Sequence, residues 1–183
     1  MSERSISPEG LVLFEAVFSP WKGKDAKPDA KPRYTLALAF APNADLAQLK
    51  ALVKDCAVAK WGQTLPRKLR SPFIDYENYE HELFKPGMIL IRPNSIQRPG
   101  VVDARVQPII EPADFYAGCY ARVSVHAYAY DTPENKGVSL GLDNVQKLRD
   151  GDPIGRTRSK PEDDFGAPTG GGGSSRSADD VFG

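Results

Sequence analysis

The sequence predicts a mainly β protein, a small barrel of short strands that carries a single helix. Short segments of alternating polarity are separated by turns rich in proline and glycine, a pattern typical of all-β domains. Only one segment has apolar residues at helical spacing, so helices do not alternate with strands as in an α/β sheet. The length of 183 residues suits one folded domain, expected at 1–160, ahead of an end segment of different composition.

The first two strands are expected at 11–18 and 33–40. The first is rich in β-forming residues and meets no breaker before Pro20, and the second alternates large and small apolar residues. The loop between them is basic and punctuated by prolines. Its lysines are Lys22, Lys24, Lys27 and Lys31. We expect the two strands to pair as a hairpin across this loop.

The helix is expected over 45–60, after a break and a candidate cap at Pro42-Asn43. Apolar residues recur there every three or four positions, which gives one apolar stripe. They are Leu46, Leu49, Val53, Cys56 and Ala57. The next segment, 60–70, is basic, and 73–86 mixes acidic with aromatic residues. We interpret 73–86 as a long excursion from the barrel.

Strand signals resume at 88–92 and 106–110, with a turn at Arg98-Pro99-Gly100 between them. The longest strand is expected over 119–130, and 137–142 returns beside it. The segment 143–150 predicts a short closing helix, capped by Asp143 and ended at Gly151.

The strand at 119–130 carries the most informative pattern. Its odd positions are small and apolar, which suits the narrow interior of a small barrel. The even positions present rings and cations: Tyr120, Arg122, Ser124, His126, Tyr128 and Tyr130. Aromatic rings stack unpaired bases with about 1–3 kcal/mol each, and a guanidinium binds phosphate or a base plane. This face predicts nucleic-acid binding; the alternative is that the tyrosines pack beneath the helix or the excursion.

Charge is divided along the chain. Residues 1–160 hold 23 Lys and Arg against 19 Asp and Glu, whereas 161–183 hold one base and five acids. A basic body favours a phosphate-binding groove, although solvated lysine loops are the common alternative. Outside the long strand, the candidates for DNA binding are Lys60, Trp61, Arg67, Lys68, Arg70 and Lys136.

The segment 161–183 is predicted to be a disordered acidic tail. It is glycine-rich and lacks apolar periodicity, so it cannot bury enough surface to offset its ordering entropy. Two short hooks combine acids with an aromatic residue: Asp163-Asp164-Phe165 and Asp179-Asp180-Val181-Phe182. We interpret them as binding sites for partner proteins.

Signals for catalysis are weak. The sequence has no nucleotide-binding loop, no nucleophile elbow and no zinc motif, and its two cysteines stand far apart. His81 lies between two glutamates but has no second histidine at ligand spacing. We therefore expect no enzyme, cofactor or metal. The polar start and the lack of an 18-residue apolar run predict an intracellular protein without a signal peptide or membrane span.

Several stretches resemble the OB-fold single-stranded DNA-binding proteins of tailed bacteriophages, from about Lys31 to Phe165. The shorter ones are Lys31-Pro32-Arg33-Tyr34, Ala59-Lys60-Trp61-Gly62 and Arg98-Pro99-Gly100-Val101-Val102-Asp103. The most specific are Phe115-Tyr116-Ala117-Gly118-Cys119-Tyr120-Ala121-Arg122 and Gly141-Leu142-Asp143-Asn144-Val145-Gln146-Lys147-Leu148-Arg149-Asp150-Gly151. The resemblance implies an OB-fold-like Greek-key barrel with one inserted amphipathic helix and a disordered acidic C-terminal tail. Unlike the simple OB-fold, the helix here follows the second strand.

The resemblance further implies a protein that coats single-stranded DNA during phage replication and recombination in the cytoplasm of the bacterial host. Its acidic tail would recruit replication proteins, and a homo-oligomer is possible. Two alternatives remain from the residues themselves. One is a module for RNA or duplex DNA, and the other is a scaffolding protein that associates through a barrel edge.

The acidic tail is also expected to fold back and compete with DNA for the basic body, and truncation after Lys160 tests this expectation. A flexible tail of 23 residues has a reach of about 25–30 Å, enough to return its acids to the basic body. We expect the truncated protein to bind oligo-dT more tightly, most clearly at low salt, where charges are least screened. Affinity is measured by fluorescence anisotropy, and unchanged or weaker binding would contradict the competition.

Overall fold

The computed structural model describes residues 3–154 and residue 165. Their elements, in chain order, are β1 (Arg4–Ile6), β2 (Gly10–Trp21), β3 (Arg33–Phe40), α1 (Ala47–Trp61), β4 (Leu69–Arg70), β5 (Ile74–Asp75), β6 (Ile89–Ile91), β7 (Asn94–Ser95), β8 (Gly100–Val102), β9 (Tyr120–Asp131) and β10 (Lys136–Arg149). Short 3₁₀ helices span Tyr76–Asn78 and Pro112–Asp114.

The strands close into a barrel. β2 pairs with β3, β3 pairs with β6 and β7, and β7 and β8 run parallel to β10. β10 pairs antiparallel with β9, and β9 returns to β2, where Gly10 lies opposite Ala121. The prediction of a mainly β barrel with one helix is confirmed. The predicted hairpin of the first two barrel strands also forms, and α1 lies between the second and third barrel strands.

The barrel interior is built from alternate residues of the strands. Cys119, Ala121, Val123 and Val125 are at most 1% exposed, as expected for the small odd positions of β9. Leu36, Leu38 and Phe40 of β3 face them from across the same core. The helix α1 adds Leu49 and Leu52, and Leu46, just before the helix, belongs to the same core. Its stripe differs slightly from the prediction, because Leu52 is buried while Val53 and Cys56 are half-buried.

The excursion at 73–86 folds back over the outside of β3. There Ala37 and Ala39 present small side chains, and Phe84 packs over them with only 1% of its surface exposed. The Tyr79 ring meets Phe84 edge-on, with 6.0 Å between centroids. The small face of β3 therefore holds the excursion against the barrel.

The predicted strand at 106–110 is wrong; the strand lies earlier, at β8. Asp103 captures this segment in a turn, because its carboxylate accepts the N–H groups of Arg105 (2.8 Å) and Gln107 (3.0 Å). Val106 takes the left-handed conformation, with φ of 63°, and its side chain is exposed. The β-branched residues suggested a strand, but side-chain capture of the backbone decides the conformation.

The predicted closing helix at 143–150 is also wrong, because β10 continues to Arg149. A register shift between Leu142 and Asn144 absorbs the irregularity near Asp143. Beyond it, Val145 pairs with Val123 on one side and with Val101 on the other. Hydrogen bonding on both edges outweighs the local helical pattern.

The predicted cap at Asn43 does not form, because the residue at the N-cap position is Leu46, which has no side-chain cap bond. One residue earlier, the Asp45 carboxylate accepts the N–H of Ala47 at 3.0 Å. This bond satisfies one of the free amides at the helix start.

A small polar latch fixes the point where the chain leaves the barrel. The Tyr116 hydroxyl donates to Asp150 at 2.9 Å, and the Lys147 ammonium pairs with the same carboxylate at 2.6 Å. The hydrogen bond from Lys147, together with that from Tyr116, lowers the pKa of Asp150 below its usual value. Beyond the latch, the Ile154 N–H donates to the Ala117 carbonyl at 2.9 Å.

Leu38→Ala tests the barrel core. Leu38 is fully buried, so its truncation should lower the free energy of unfolding by about 2–5 kcal/mol through lost contacts and a cavity. Urea denaturation measures the change. The control is Ile110→Ala, at an 80% exposed side chain, which should change stability by about 0.5 kcal/mol or less. Equal effects of the two substitutions would contradict the assignment of the core.

Candidate nucleic-acid interface

The even-numbered side chains of β9 lie on the outer face of the barrel. Tyr120, His126, Tyr128 and Tyr130 are half-buried, and Arg122 is exposed. The helix α1 packs against the opposite, odd-numbered face through the main core. The helix therefore does not cover these rings, and we call this row of side chains the aromatic face.

Two glycines of β10 lie beneath rings of the aromatic face. Gly137 pairs with Tyr130, and Gly141 pairs with His126. A Cβ on Gly137 would stand 2.5 Å from the Tyr130 hydroxyl, and one on Gly141 would overlap the imidazole of His126. The rings therefore lie over bare backbone, and their other faces point away from the sheet. This is the geometry that a stacked base requires.

The orientation of His126 is fixed by an acidic partner. Its Nδ1 lies 3.0 and 3.2 Å from the two carboxylate oxygens of Asp143. Because a carboxylate accepts, Nδ1 carries the hydrogen. Arg4 of β1 approaches the same carboxylate at 3.6 Å. Asp143, which the sequence suggested as a helix cap, instead positions an imidazole of the aromatic face.

Tyr120 is the least available of the three predicted stacking tyrosines. The Arg149 guanidinium lies 3.7 Å from its ring centroid and is held by Glu9 at 2.9 Å. One face of the ring is therefore already covered by a cation. Nearby, Arg122 donates to the Gln146 side chain at 2.7 Å. Arg149 thus adds a cation to this end of the aromatic face that sequence reasoning did not identify.

Part of the predicted basic cluster lies near the Tyr130 end of β9. A groove of about 570 Å³ is present at this end, and we call it the hairpin groove. Lys68, Arg70 and Lys136 line it, together with the loop 132–135. Arg70 pairs with Gly137, which pairs with Tyr130 on its other edge, so Arg70 lies on the same face as Tyr130, two strands away. Lys60 and Arg67 are exposed but do not belong to the described lining of this groove.

Trp61 and Lys136 both turn toward Asp131. The Trp61 indole N–H donates to this carboxylate at 3.2 Å, and the Lys136 ammonium lies 3.6 Å from it. Since Lys136 and Asp131 are cross-strand partners, strand alternation places them on the side opposite Tyr130. These two residues border the aromatic face rather than forming part of it.

A second groove, which we call the basic groove, lies between the basic loop and strands β3 and β7. Its volume is about 390 Å³. The cations that line it are Lys22, Lys31, Arg33 and Arg92, and its described lining contains no carboxylate. Arg33 donates to the Asn94 side chain at 2.8 Å. Four cations around one concavity favour binding of an anionic chain.

The basic groove also contains Trp21, which the sequence analysis assigned to the loop between the first two strands and not to a binding site. Its side chain is 41% exposed and meets Phe14 edge-on, with 5.4 Å between centroids. Trp21 precedes Lys22, just as Trp61 follows Lys60. A tryptophan next to a lysine was therefore the sequence signal that could have identified Trp21. Arg92 carried no such signal, because its position depends on pairing between distant strands.

The basic groove and the aromatic face belong to one continuous surface. His126 pairs with Gly141, Gly141 with Asn94, and Asn94 with Thr35. Residues paired across neighbouring strands project to the same side, so this row crosses four strands on one face. Counted around the barrel, β2 and β3 are strands one and two, and β9 and β10 are strands four and five. OB-fold barrels bind oligonucleotides on the face of strands two and three and at the loops that join strands one to two and four to five. The two grooves lie at these two loops.

Within residues 3–154 and 165, no group of His, Cys, Asp and Glu is arranged to hold a metal ion. In the same part of the chain, no helix is long and apolar enough to cross a membrane.

The chain is similar to a protein family and to several solved structures. A family model described as "Enterobacter phage Enc34, ssDNA-binding protein" matches residues 12–181. The solved single-stranded DNA-binding protein of bacteriophage Enc34 in complex with ssDNA is similar in fold, with a TM-score of 0.67. It is 17% identical, and the alignment covers 83% of this chain and 89% of that chain.

A C-terminal truncation of the Enc34 protein gives a TM-score of 0.67 at 16% identity, over 82% of this chain and 88% of that chain. The single-stranded DNA-binding protein gp2.5 of bacteriophage T7 gives 0.62 at 14% identity, over 86% of this chain and 98% of that chain. No curated protein sequence matches this chain.

Gly141→Ala tests the aromatic face. The new Cβ would overlap the His126 imidazole and push this ring off the sheet, and loss of one stacked base should weaken oligo-dT binding about tenfold. Ser139→Ala is the matched control, because Ser139 lies between the two glycines on β10, opposite Tyr128. Anisotropy titrations measure affinity, and circular dichroism confirms folding. A folded Gly141→Ala variant that binds as tightly as the wild type would contradict stacking on this ring.

Proposed function

Because this chain belongs to the family of the Enterobacter phage Enc34 ssDNA-binding protein, we propose that it binds single-stranded DNA with little sequence preference. Its role would be to coat and protect single strands during phage replication and recombination. The proposal rests on one observation: a continuous outer surface joins open aromatic rings to a groove lined with cations.

The chemistry of this surface suits single strands. Tyr128, Tyr130 and Trp21 offer rings to unstacked bases, and every base has a π-face, so stacking tolerates any sequence. In a duplex these faces are hidden between base pairs. Arg33 and Arg92 would neutralise the phosphates of the strand. Rings and cations together therefore favour an unpaired strand over a duplex.

No catalytic activity is proposed. The described histidines both have structural partners: His126 is held by Asp143, and His81 accepts the N–H of Leu83 through Nδ1 at 3.1 Å. A metal-dependent nuclease would use a cluster of carboxylates or histidines, which the described residues do not provide. Binding alone accounts for the chemistry of the surface.

The tail at 161–183 is proposed to recruit replication proteins and to compete with DNA for the basic surface. The hook residues Asp163, Asp164, Asp179, Asp180 and Phe182 lie outside the described residues, and so does the proposed boundary at 160. Phe165 is described and is 77% exposed, which suits a residue offered to a partner. The site of action would be the cytoplasm of the infected bacterial host.

Salt dependence tests phosphate binding. Log affinity for oligo-dT should fall linearly with log salt, with a slope of about −0.7 for each phosphate neutralised on a single strand. Arg33→Ala and Arg92→Ala should each reduce the steepness of the slope by about 0.7, because each removes one cation of the basic groove. Lys85→Ala is the control, since Lys85 is exposed on the excursion and should leave the slope unchanged.

A flat salt response, or equal slopes for all three variants, would contradict a phosphate-binding groove. Competition separates the alternatives in the same assay. Excess poly-U or hairpin duplex should displace labelled oligo-dT less effectively than unlabelled oligo-dT. Better displacement by poly-U would favour an RNA-binding module, and absence of any oligo-dT binding would favour a scaffolding protein.

A further inference from the structure

A third concavity lies on the outside of the barrel between β1 and β8, and we call it the outer cleft. Its volume is about 160 Å³. Strand pairing defines its floor: Ser124 of β9 pairs with Ile6 of β1 on one edge and with Asn144 of β10 on the other. Gly100 of β8 pairs with Asn144 and completes the row. Ser124 is an even-numbered residue of β9, so the outer cleft lies on the same face as His126 and continues the aromatic face.

The walls of the outer cleft are apolar. Ile6 lines it from β1, and Val102 and Val106 line it from β8 and the turn that follows. Ile6 is 57% exposed and Val106 is 66% exposed, so packing within the domain does not account for their positions. Three strand spacings separate β1 from β8, about 14 Å between backbones, which leaves a slot between the side chains for a flat ring.

The turn that carries Val106 is held firmly in an unfavourable backbone conformation. With φ of 63°, Val106 lies in the left-handed region, which a β-branched residue disfavours. The Asp103 carboxylate accepts two N–H groups of the turn, and the Gln146 amide donates to the carbonyls of Asp103 and Ala104 at 3.3 Å each. Glycine or asparagine would adopt this conformation more readily, so the turn itself does not require valine. Strained residues of this kind cluster where a side chain meets a ligand.

The floor of the outer cleft is polar. The Asn144 amide lies over Gly100, because a Cβ on that glycine would stand 2.6 Å from the Asn144 Oδ1. An amide and a hydroxyl each offer a donor and an acceptor, so Asn144 and Ser124 suit the polar edge of any base. Arg122 is exposed and lines the same cleft, where it supplies a positive charge for the adjoining phosphate.

We propose, building on the proposed function, that the outer cleft binds one unpaired nucleobase of the single strand. The two faces of the base would contact Ile6 and Val106, and its polar edge would bond Ser124 or Asn144. The volume of the cleft is below the roughly 300–1,000 Å³ of pockets for drug-sized ligands, which suits one small flat ring. In a duplex the faces of a base are stacked and its edge is paired, so the cleft selects an unpaired strand.

Ile6→Ala/Val106→Gly tests the base contact. The substitutions remove both walls, and glycine also relieves the left-handed backbone, so stability in urea should stay close to that of the wild type. Binding of oligo-dT should weaken about tenfold through lost apolar burial, whereas the salt slope should not change, because no cation is removed. Leu83→Ala/Ile110→Ala is the matched control at two other exposed apolar side chains and should bind like the wild type.

An abasic strand with the same number of phosphates separates base contacts from backbone contacts. The wild type and Ile6→Ala/Val106→Gly should bind it equally, because it has no base to fill the cleft. Equal weakening on both strands, or wild-type affinity of the variant for oligo-dT, would overturn the proposal. Self-association without DNA that disappears in the variant would assign the cleft to a second copy and overturn it as well.

Failure of the proposed function has a different signature. If only the outer cleft is wrong, the wild type still binds oligo-dT with a salt-dependent affinity, and the variants of the basic groove still reduce the slope. A wild type that does not bind oligo-dT would instead contradict the proposed function, and the base site with it.

Discussion

The long antiparallel pairing of β9 with β10 is the constraint on which the rest of the structure depends. Side chains along a strand alternate between two faces, so one register places every small residue of β9 inside and every ring outside. Val123 and Val125 close the core at 1% exposure or less, and Tyr128 and Tyr130 remain on the outer surface. A shift by one residue would bury the rings and open the barrel.

The same ladder shapes the site. β10 receives β9 on one edge and the short strands β4, β7 and β8 on the other, which brings Arg70 and Asn94 to the borders of the aromatic face. Its glycines leave space for rings to lie flat, and Asp143 at its register shift fixes His126. One face of the β9–β10 sheet therefore packs the core, and the other face carries the proposed binding surface.

Much of this could be predicted from the sequence where short-range periodicity controls the structure. The period-two patterns at β3 and β9 gave correct strands, and the helical spacing gave α1. Prediction failed where other forces override the local pattern: Asp103 captures backbone amides near Val106, and pairing on both edges extends β10 through a helix-like segment. The aromatic face follows from alternation within one strand, whereas Trp21 and Arg92 meet only through pairing of β3 with β7, about 60 residues apart.

Photo-crosslinking with oligo-dT that carries 5-iodouracil tests most directly whether the outer rings meet bases. Iodouracil reacts with aromatic side chains in stacking contact, and mass spectrometry of the digested complex identifies the linked residues. We predict crosslinks at Tyr128, Tyr130 and Trp21, on the surface that joins the aromatic face to the basic groove. Crosslinks confined to the excursion at 73–86 or to α1 would contradict it, because those segments lie off this surface.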